Sequence, residues 1–110
     1  MTIATSEADG CTIVAVTGEL DIHTAPGLQS AISELIDDGV HDLVIDLTTT
    51  EFIDSTGLGV LVAALKKARA HRGSLRLVCS QERLLKVFRI TGLLQDFAIH
   101  DSLEAALAGR

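Results

Sequence analysis

The sequence predicts an α/β domain built on a small, mixed and mostly parallel β-sheet, with about five strands and about four α-helices. Three observations indicate this fold. First, two β-branched runs, residues 2–8 and 11–17, are joined by Asp9-Gly10, a pair typical of tight hairpin turns. Second, the later apolar runs of strand length alternate with helical stripes of apolar residues. Third, a length of 110 residues fits one domain, which we expect to span residues 1–110.

The later elements follow in regular βα order, which favours parallel inner strands joined by right-handed crossovers. Strands are expected at residues 42–47, 74–79 and 97–99. The residues expected to cap the helices are of types that favour a helix N-terminus, namely Thr24, Ser55, Ser80 and Asp101. Binding sites in such sheets favour loops at the carboxyl ends of strands, here residues 18–24 and 47–55.

Charge is distributed unevenly along the chain. Residues 1–65 contain eleven Asp and Glu but no Lys or Arg, whereas residues 66–110 contain nine Lys and Arg and four Asp and Glu. The acidic part disfavours nucleic-acid binding and predicts a polarised surface that orients a protein partner. No apolar stretch reaches membrane-spanning length and no secretory signal is recognised, so we expect a cytoplasmic protein that binds neither nucleic acid nor membrane.

The stretch from Asp46 to Leu61 carries the strongest functional signal. It begins at the end of a predicted buried strand, continues as a polar loop and ends in a helix, with Ser55 at the loop-to-helix junction. One interpretation is that Ser55 only caps the helix. The other is that Ser55 is phosphorylated, because the N–H groups and the dipole of a helix N-terminus favour a phosphate. The acidic neighbours would then make the surface strongly negative and repel a partner.

A row of small, uncharged residues favours an interface beside Ser55. Gly57, Val60 and Ala64 have the spacing i, i+3 and i+7, and they lie opposite the predicted core stripe of the helix. A surface helix normally carries charge at such positions. We therefore expect these three residues to form a smooth surface for a partner, unless a neighbouring loop covers them.

Enzymatic alternatives lack residues that they need. A serine hydrolase at Ser55 requires a nearby base and an oxyanion hole, and the four histidines are scattered. A phospho-aspartate receiver at Asp46 requires a lysine after a late strand, but the next lysine after Cys79 is Lys86, inside a predicted helix. The sequence has no nucleotide, cofactor or metal motif. We therefore expect a protein that is not an enzyme and that holds no cofactor or metal.

Three segments of the chain resemble the bacterial anti-sigma-factor antagonists, which are single STAS domains. They are Gly18-Glu19-Leu20-Asp21, Leu43-Val-Ile-Asp46-Leu and, most specifically, Phe52-Ile-Asp-Ser-Thr-Gly-Leu-Gly-Val-Leu61. The resemblance covers almost the whole chain and implies a STAS-like fold with helices largely on one side of the sheet. It also implies that Ser55 is phosphorylated by the anti-sigma factor, which is itself a serine kinase.

The resemblance further implies a partner switch. The unphosphorylated antagonist binds the anti-sigma kinase and frees the sigma factor, the phosphorylated form lets go, and a phosphatase acting on phospho-Ser55 restores binding. Asp21, Asp54, Thr56 and Gly57 are implied to border the docking surface, and Thr56 is an alternative phosphoacceptor. STAS domains also occur in lipid-transport and stress-signalling complexes. The alternative function is therefore a subunit of such a complex, docking through the same helix without phosphorylation.

Overall fold

The computed structural model describes residues 1–109, which form a six-stranded sheet with helices on both faces. The strands are β1 (Thr2–Ala8), β2 (Cys11–Leu20), β3 (Asp42–Asp46), β4 (Thr50–Ile53), β5 (Ser74–Val78) and β6 (Ala98–His100). The helices are α1 (Ala25–Asp37), α2 (Ser55–Ala70), α3 (Glu82–Ile90) and α4 (Leu103–Ala108), and a 3-10 turn spans Leu93–Gln95. The predicted α/β class is confirmed, with a strand that the sequence did not indicate.

The sheet is mixed, and most of its pairs are parallel, as predicted. Its order is β1-β2-β3-β5-β6, and β4 pairs with β2 outside this row. Among the described strands, β1 and β2 are antiparallel and the other pairs are parallel. The turn between β1 and β2 places Asp9 and Gly10 at φ values of 52° and 80°, the left-handed backbone that a two-residue hairpin turn needs. The predicted N-terminal hairpin is confirmed.

The additional strand, β4, forms because β2 is longer than predicted. The sequence ended the second strand at residue 17 and treated residues 47–55 as a loop. Gly18 has φ +101°, and the pairing register shifts between Gly18 and Glu19, so β2 continues through a bulge to Leu20. Leu20 then pairs with Ile53. This pairing places the residues just before Ser55 in the sheet.

The sheet carries helices on both faces, mostly on one. The main core joins α1, α2 and α3 to alternate strand residues such as Val14, Ile45 and Leu77. A smaller cluster on the opposite face packs Ile13 and Val44 against α4. Arrangement of the helices largely to one side is therefore confirmed. In the part of the chain that the structure describes, no helix combines the length and apolarity that crossing a membrane requires.

Three of the four predicted helix caps are displaced by one residue. Asp54 rather than Ser55 caps α2, Gln81 rather than Ser80 precedes α3, and Ser102 rather than Asp101 caps α4. Thr24 does stand before α1, but its hydroxyl makes no cap hydrogen bond to that helix. Instead, the hydroxyl bonds to the loop between β2 and α1.

Candidate functional site

Ser55 is the first residue of α2 and is exposed to solvent. The cap of the helix is Asp54, whose Oδ1 accepts a hydrogen bond of 2.9 Å from the backbone N–H of Gly57. The interpretation of Ser55 as the cap is therefore wrong, because the preceding carboxylate already fills that role. Within residues 1–109, the Ser55 hydroxyl has no hydrogen-bond partner. The hydroxyl is therefore held at the first position of the helix and is open to solvent.

Asp54 also ties α2 to the loop that follows β2. Its second carboxylate oxygen, Oδ2, accepts a hydrogen bond of 3.1 Å from the backbone N–H of Ile22. Its own N–H donates to the carbonyl oxygen of Leu20, at 3.2 Å. Asp54 therefore caps α2 with one carboxylate oxygen and, with the other, bonds the loop residue Ile22, which lies 32 positions earlier in the chain. The loop after β2 and the start of α2 form one surface, as expected from the carboxyl ends of parallel strands.

The loop after β2 is fixed by hydrogen bonds around Asp21. Asp21 Oδ1 accepts from the backbone N–H groups of His23, at 2.9 Å, and Thr24, at 3.2 Å. The Thr24 hydroxyl donates to the carbonyl oxygen of Glu19, at 2.8 Å. The hydrogen bond from the His23 N–H, followed by those from Thr24, lowers the pKa of the Asp21 carboxyl. Asp21 therefore presents a full negative charge at neutral pH.

The predicted surface strip of Gly57, Val60 and Ala64 is not at the surface. Val60 and Ala64 are only 8% and 7% exposed, and Gly57 is also buried. A Cβ added at Gly57 would lie 2.6 Å from the carbonyl oxygen of Leu20, so only glycine allows this approach of α2 to β2. The expectation that these residues contact a partner from the surface is wrong, because α2 packs against both the sheet and α1.

An exposed, uncharged strip does exist on α2, but on other residues. Ser55, Gly59 and Ala63 are exposed and have the spacing i, i+4 and i+8, which places them on one face of the helix. A Cβ at Gly59 would meet no heavy atom within 4 Å. Thr56 is exposed beside this strip. The uncharged surface next to Ser55 is therefore formed by Gly59 and Ala63, and not by the predicted residues Gly57, Val60 and Ala64.

Gln81 supports the site from the residue just before α3, and the sequence analysis did not single it out. Its Nε2 lies 2.7, 2.9 and 2.9 Å from the carbonyl oxygens of Leu47, Thr48 and Thr50, which lead into β4. Its Oε1 faces the Cys79 sulfur at 3.6 Å, and burial raises the pKa of that thiol, which keeps it protonated. A polar residue shortly after the end of β5 was the available signal.

The first turn of α2 offers unused hydrogen-bond donors beside Ser55. The backbone N–H groups of Ser55 and Thr56 precede the first helical hydrogen bond, which runs from Leu58 to the carbonyl of Asp54 at 3.0 Å. No acceptor within residues 1–109 faces either group. Such donors, together with the helix dipole, favour an anionic group at this position.

Comparison with known proteins identifies the family. The family model of the STAS domain matches residues 2–106. The chain belongs to the STAS domain family. This match confirms the family that Gly18-Glu19-Leu20-Asp21 and the segment around Ser55 indicated.

The relatives of this STAS domain include anti-sigma-factor antagonists. The anti-sigma-B factor antagonist of Staphylococcus aureus (strain NCTC 8325 / PS 47) is 32% identical over 104 residues, 94% of this chain and 96% of that relative. The crystal structure of an anti-sigma factor antagonist from Mycobacterium paratuberculosis has a TM-score of 0.90 at 34% identity, covering 98% of this chain and 92% of that one. Bacillus SpoIIAA in its phosphorylated form shares the fold, with a TM-score of 0.75 at 23% identity, covering 99% of this chain and 100% of that chain.

The STAS fold brings together most of the residues that the sequence singled out. Asp21, Asp54, Ser55 and Thr56 all lie where the loop after β2 meets the start of α2. The carboxylate of Asp46, proposed in the receiver alternative, accepts hydrogen bonds from the backbone and the hydroxyl of Thr48 and helps shape the turn before β4. The site is therefore an acidic surface around an exposed hydroxyl.

Proposed function

We propose that this STAS domain is an anti-sigma-factor antagonist that binds an anti-sigma serine kinase and so releases a sigma factor. Phosphorylation of Ser55 by that kinase switches the binding off, and a phosphatase acting on phospho-Ser55 restores it. The observation that carries the proposal is the exposed, unbonded hydroxyl of Ser55 at a helix N-terminus, in a chain related to anti-sigma-factor antagonists. We place this activity in the cytoplasm, where the kinase and ATP are available.

The phosphoryl transfer requires the kinase to supply the catalytic groups. The Oγ of Ser55 forms a bond to the γ-phosphorus of ATP, the bond from that phosphorus to the β,γ-bridging oxygen breaks, and ADP leaves. The hydroxyl proton passes to a base of the kinase, because no side chain within residues 1–109 accepts a hydrogen bond from Ser55.

The fold tolerates the phosphate while the surface changes. The free N–H groups of Ser55 and Thr56 and the positive end of the helix dipole offset part of the added charge. The phosphate brings about −1.5 to −2 charges at neutral pH. These charges lie beside the carboxylates of Asp54 and Asp21, on a surface that is already negative. A partner that fits the uncharged hydroxyl therefore meets both bulk and like charge after phosphorylation.

The proposed docking surface combines residues from the loop and the helix. Asp21 and Asp54 supply negative charge, and Thr56 lies exposed next to the phosphoacceptor. Gly59 and Ala63 extend the surface along α2 without side chains that would hold a partner away. Gly57 contributes from beneath, because its missing side chain allows α2 to approach Leu20.

Incubation with candidate anti-sigma kinases and ATP, followed by peptide mass mapping, tests the proposal. We expect a single phosphate on Ser55, and none on the Ser55→Ala variant. A Thr56→Ala variant that still accepts the phosphate separates the two adjacent hydroxyls. Stable binding of a partner with no transfer to Ser55 would contradict the switch and favour docking without phosphorylation, as in a transport or stress-signalling subunit.

A further inference from the structure

Ile22 is a large apolar side chain that the fold leaves in solvent. It is 62% exposed, in the turn between β2 and α1, whereas the residues on either side of this turn, Leu20 and Ala25, are fully buried. Exposed apolar side chains are common when they occur singly on a surface. Ile22 differs from an ordinary exposed apolar residue because hydrogen bonds fix its backbone, and one of them is accepted by the carboxylate of Asp54.

The backbone on both sides of Ile22 is fixed by hydrogen bonds. Its own N–H donates to Asp54 Oδ2 at 3.1 Å. The next N–H, of His23, donates to Asp21 Oδ1 at 2.9 Å. The carbonyl oxygen of Asp21 accepts from Thr24 at 3.1 Å and from Ala25 at 2.8 Å. The apolar side chain is therefore presented from an ordered turn, and a partner loses little conformational freedom of the loop by contacting it.

Ile22 also lies next to the residue that precedes Ser55. The carboxylate that receives the Ile22 N–H belongs to Asp54, which directly precedes Ser55 in the chain. Both Ile22 and Ser55 are exposed. The surroundings are acidic, since Asp21 and Asp54 flank the turn. The complementary surface is an apolar pocket bordered by cationic side chains.

We infer that Ile22 is the apolar anchor by which the kinase that phosphorylates Ser55 recognises this chain. The inference rests on the proposed function, and it assigns to Ile22 a role in binding rather than in phosphoryl transfer. Burying an exposed isoleucine in a protein interface contributes through the apolar area removed from water. Because Ile22 contacts the kinase before and during the transfer, its loss raises KM and leaves kcat unchanged.

The test is steady-state phosphorylation of Ser55 by the purified kinase that modifies the wild-type chain, with Ile22→Ser, Ile22→Leu and Ile90→Ser variants. Ile90 is a matched control, because it is also an exposed isoleucine, at 74%. Helix α3 begins next to Gln81, which contacts the site, and Ile90 lies at the other end of that helix, about 12 Å away along its axis. We expect Ile22→Ser to raise KM about tenfold or more with kcat unchanged. We expect Ile22→Leu and Ile90→Ser to stay within about threefold of wild type.

The outcomes separate this inference from the proposed function. If no anti-sigma kinase phosphorylates the wild-type chain at Ser55, the proposed function fails and the inference fails with it. If the wild-type chain is phosphorylated but Ile22→Ser has the wild-type KM, the inference alone is overturned. It is also overturned if Ile90→Ser raises KM equally, or if kcat falls instead of KM rising. Thermal unfolding of each variant verifies that the exposed substitutions leave the fold intact.

Discussion

The Oδ2 of Asp54 accepts a hydrogen bond from the backbone N–H of Ile22 at 3.1 Å, and its Oδ1 caps α2 by accepting one from the N–H of Gly57 at 2.9 Å. This one side chain therefore sets both the position of the turn after β2 and the first turn of the helix that begins with Ser55. It explains how Ser55, whose hydroxyl has no hydrogen bond within residues 1–109, is still held in a defined place. The position of Ser55 depends on its neighbour.

Asp54→Ala is expected to lower the free energy of unfolding by about 1–2 kcal/mol, because the helix loses its cap and the turn loses a hydrogen bond. Ser55→Ala, next to it, should change the free energy by less than about 0.5 kcal/mol, since no folded-state hydrogen bond is lost. Urea unfolding of both variants measures the difference. A larger loss for Ser55→Ala than for Asp54→Ala would show that the capping roles are assigned wrongly.

Gly57→Ala should destabilise the protein by about 1–3 kcal/mol, because the new methyl group meets the backbone carbonyl of Leu20 and overpacks the contact between α2 and β2. Gly59→Ala is the matched substitution two residues later. It enters open space on an exposed helix face, so it should raise stability by up to about 1 kcal/mol. Thermal unfolding of the pair tests this contrast, and similar midpoints for the two variants would contradict it.

Gln81→Ala should cost about 1–2 kcal/mol of stability, because three backbone carbonyls in and just before the first residue of β4 lose their side-chain donor. Gln81→Glu keeps the size of the side chain but places a carboxylate against the same carbonyl oxygens. We expect it to be the less stable of the two variants at neutral pH. Urea midpoints measured in parallel give the order, and a Gln81→Glu variant as stable as wild type would contradict the contact.

The low pKa of Asp21 predicts how the turn after β2 responds to acid. Because the folded state lowers this pKa, the ionised carboxylate stabilises the fold above the unfolded value of about 3.9. That contribution is lost as the pH falls through the lower folded-state pKa. An NMR titration of the Asp21 carboxyl carbon should therefore give a midpoint below about 3.9. The stability difference between wild type and Asp21→Asn should shrink as the pH falls from about 3.9 through the folded-state pKa. An NMR titration midpoint above about 3.9 would contradict the hydrogen bonds around Asp21.

The sequence was sufficient for the class of fold, the hairpin at Asp9-Gly10 and the position of Ser55 where a loop meets a helix. It was not sufficient for the cap of α2, because Asp54 and Ser55 are adjacent and both residue types cap helices well. Which of the two residues caps α2 depends on a contact between residues distant along the chain, because the Ile22 N–H donates a hydrogen bond to Asp54. Likewise β4 depends on the bulge at Gly18, which lets β2 continue to Leu20.

The exposed face of α2 was misassigned for a physical reason. A stripe of large apolar residues indicates one buried face, but α2 packs against both the sheet and α1. Small residues serve both contacts: Gly57 lies against Leu20 of β2, and Ala64 lies beside Ile32 and Ser33 of α1. Small residues at a close helix contact and small residues exposed to solvent produce the same sequence pattern, so periodicity does not distinguish them. Gly59 and Ala63 are the ones that remain exposed.

The central claim is that a phosphate on Ser55 ends binding to the anti-sigma kinase. Calorimetric titration of that kinase with the unphosphorylated chain and with the chain stoichiometrically phosphorylated on Ser55 tests it most directly. Phosphorylation is expected to weaken binding at least about tenfold, through like charge and bulk at the docking surface. The Ser55→Ala variant, treated with kinase and ATP in the same way, should keep the affinity of the unphosphorylated chain. Equal affinities of the phosphorylated and unphosphorylated chains would show that Ser55 is not the switch.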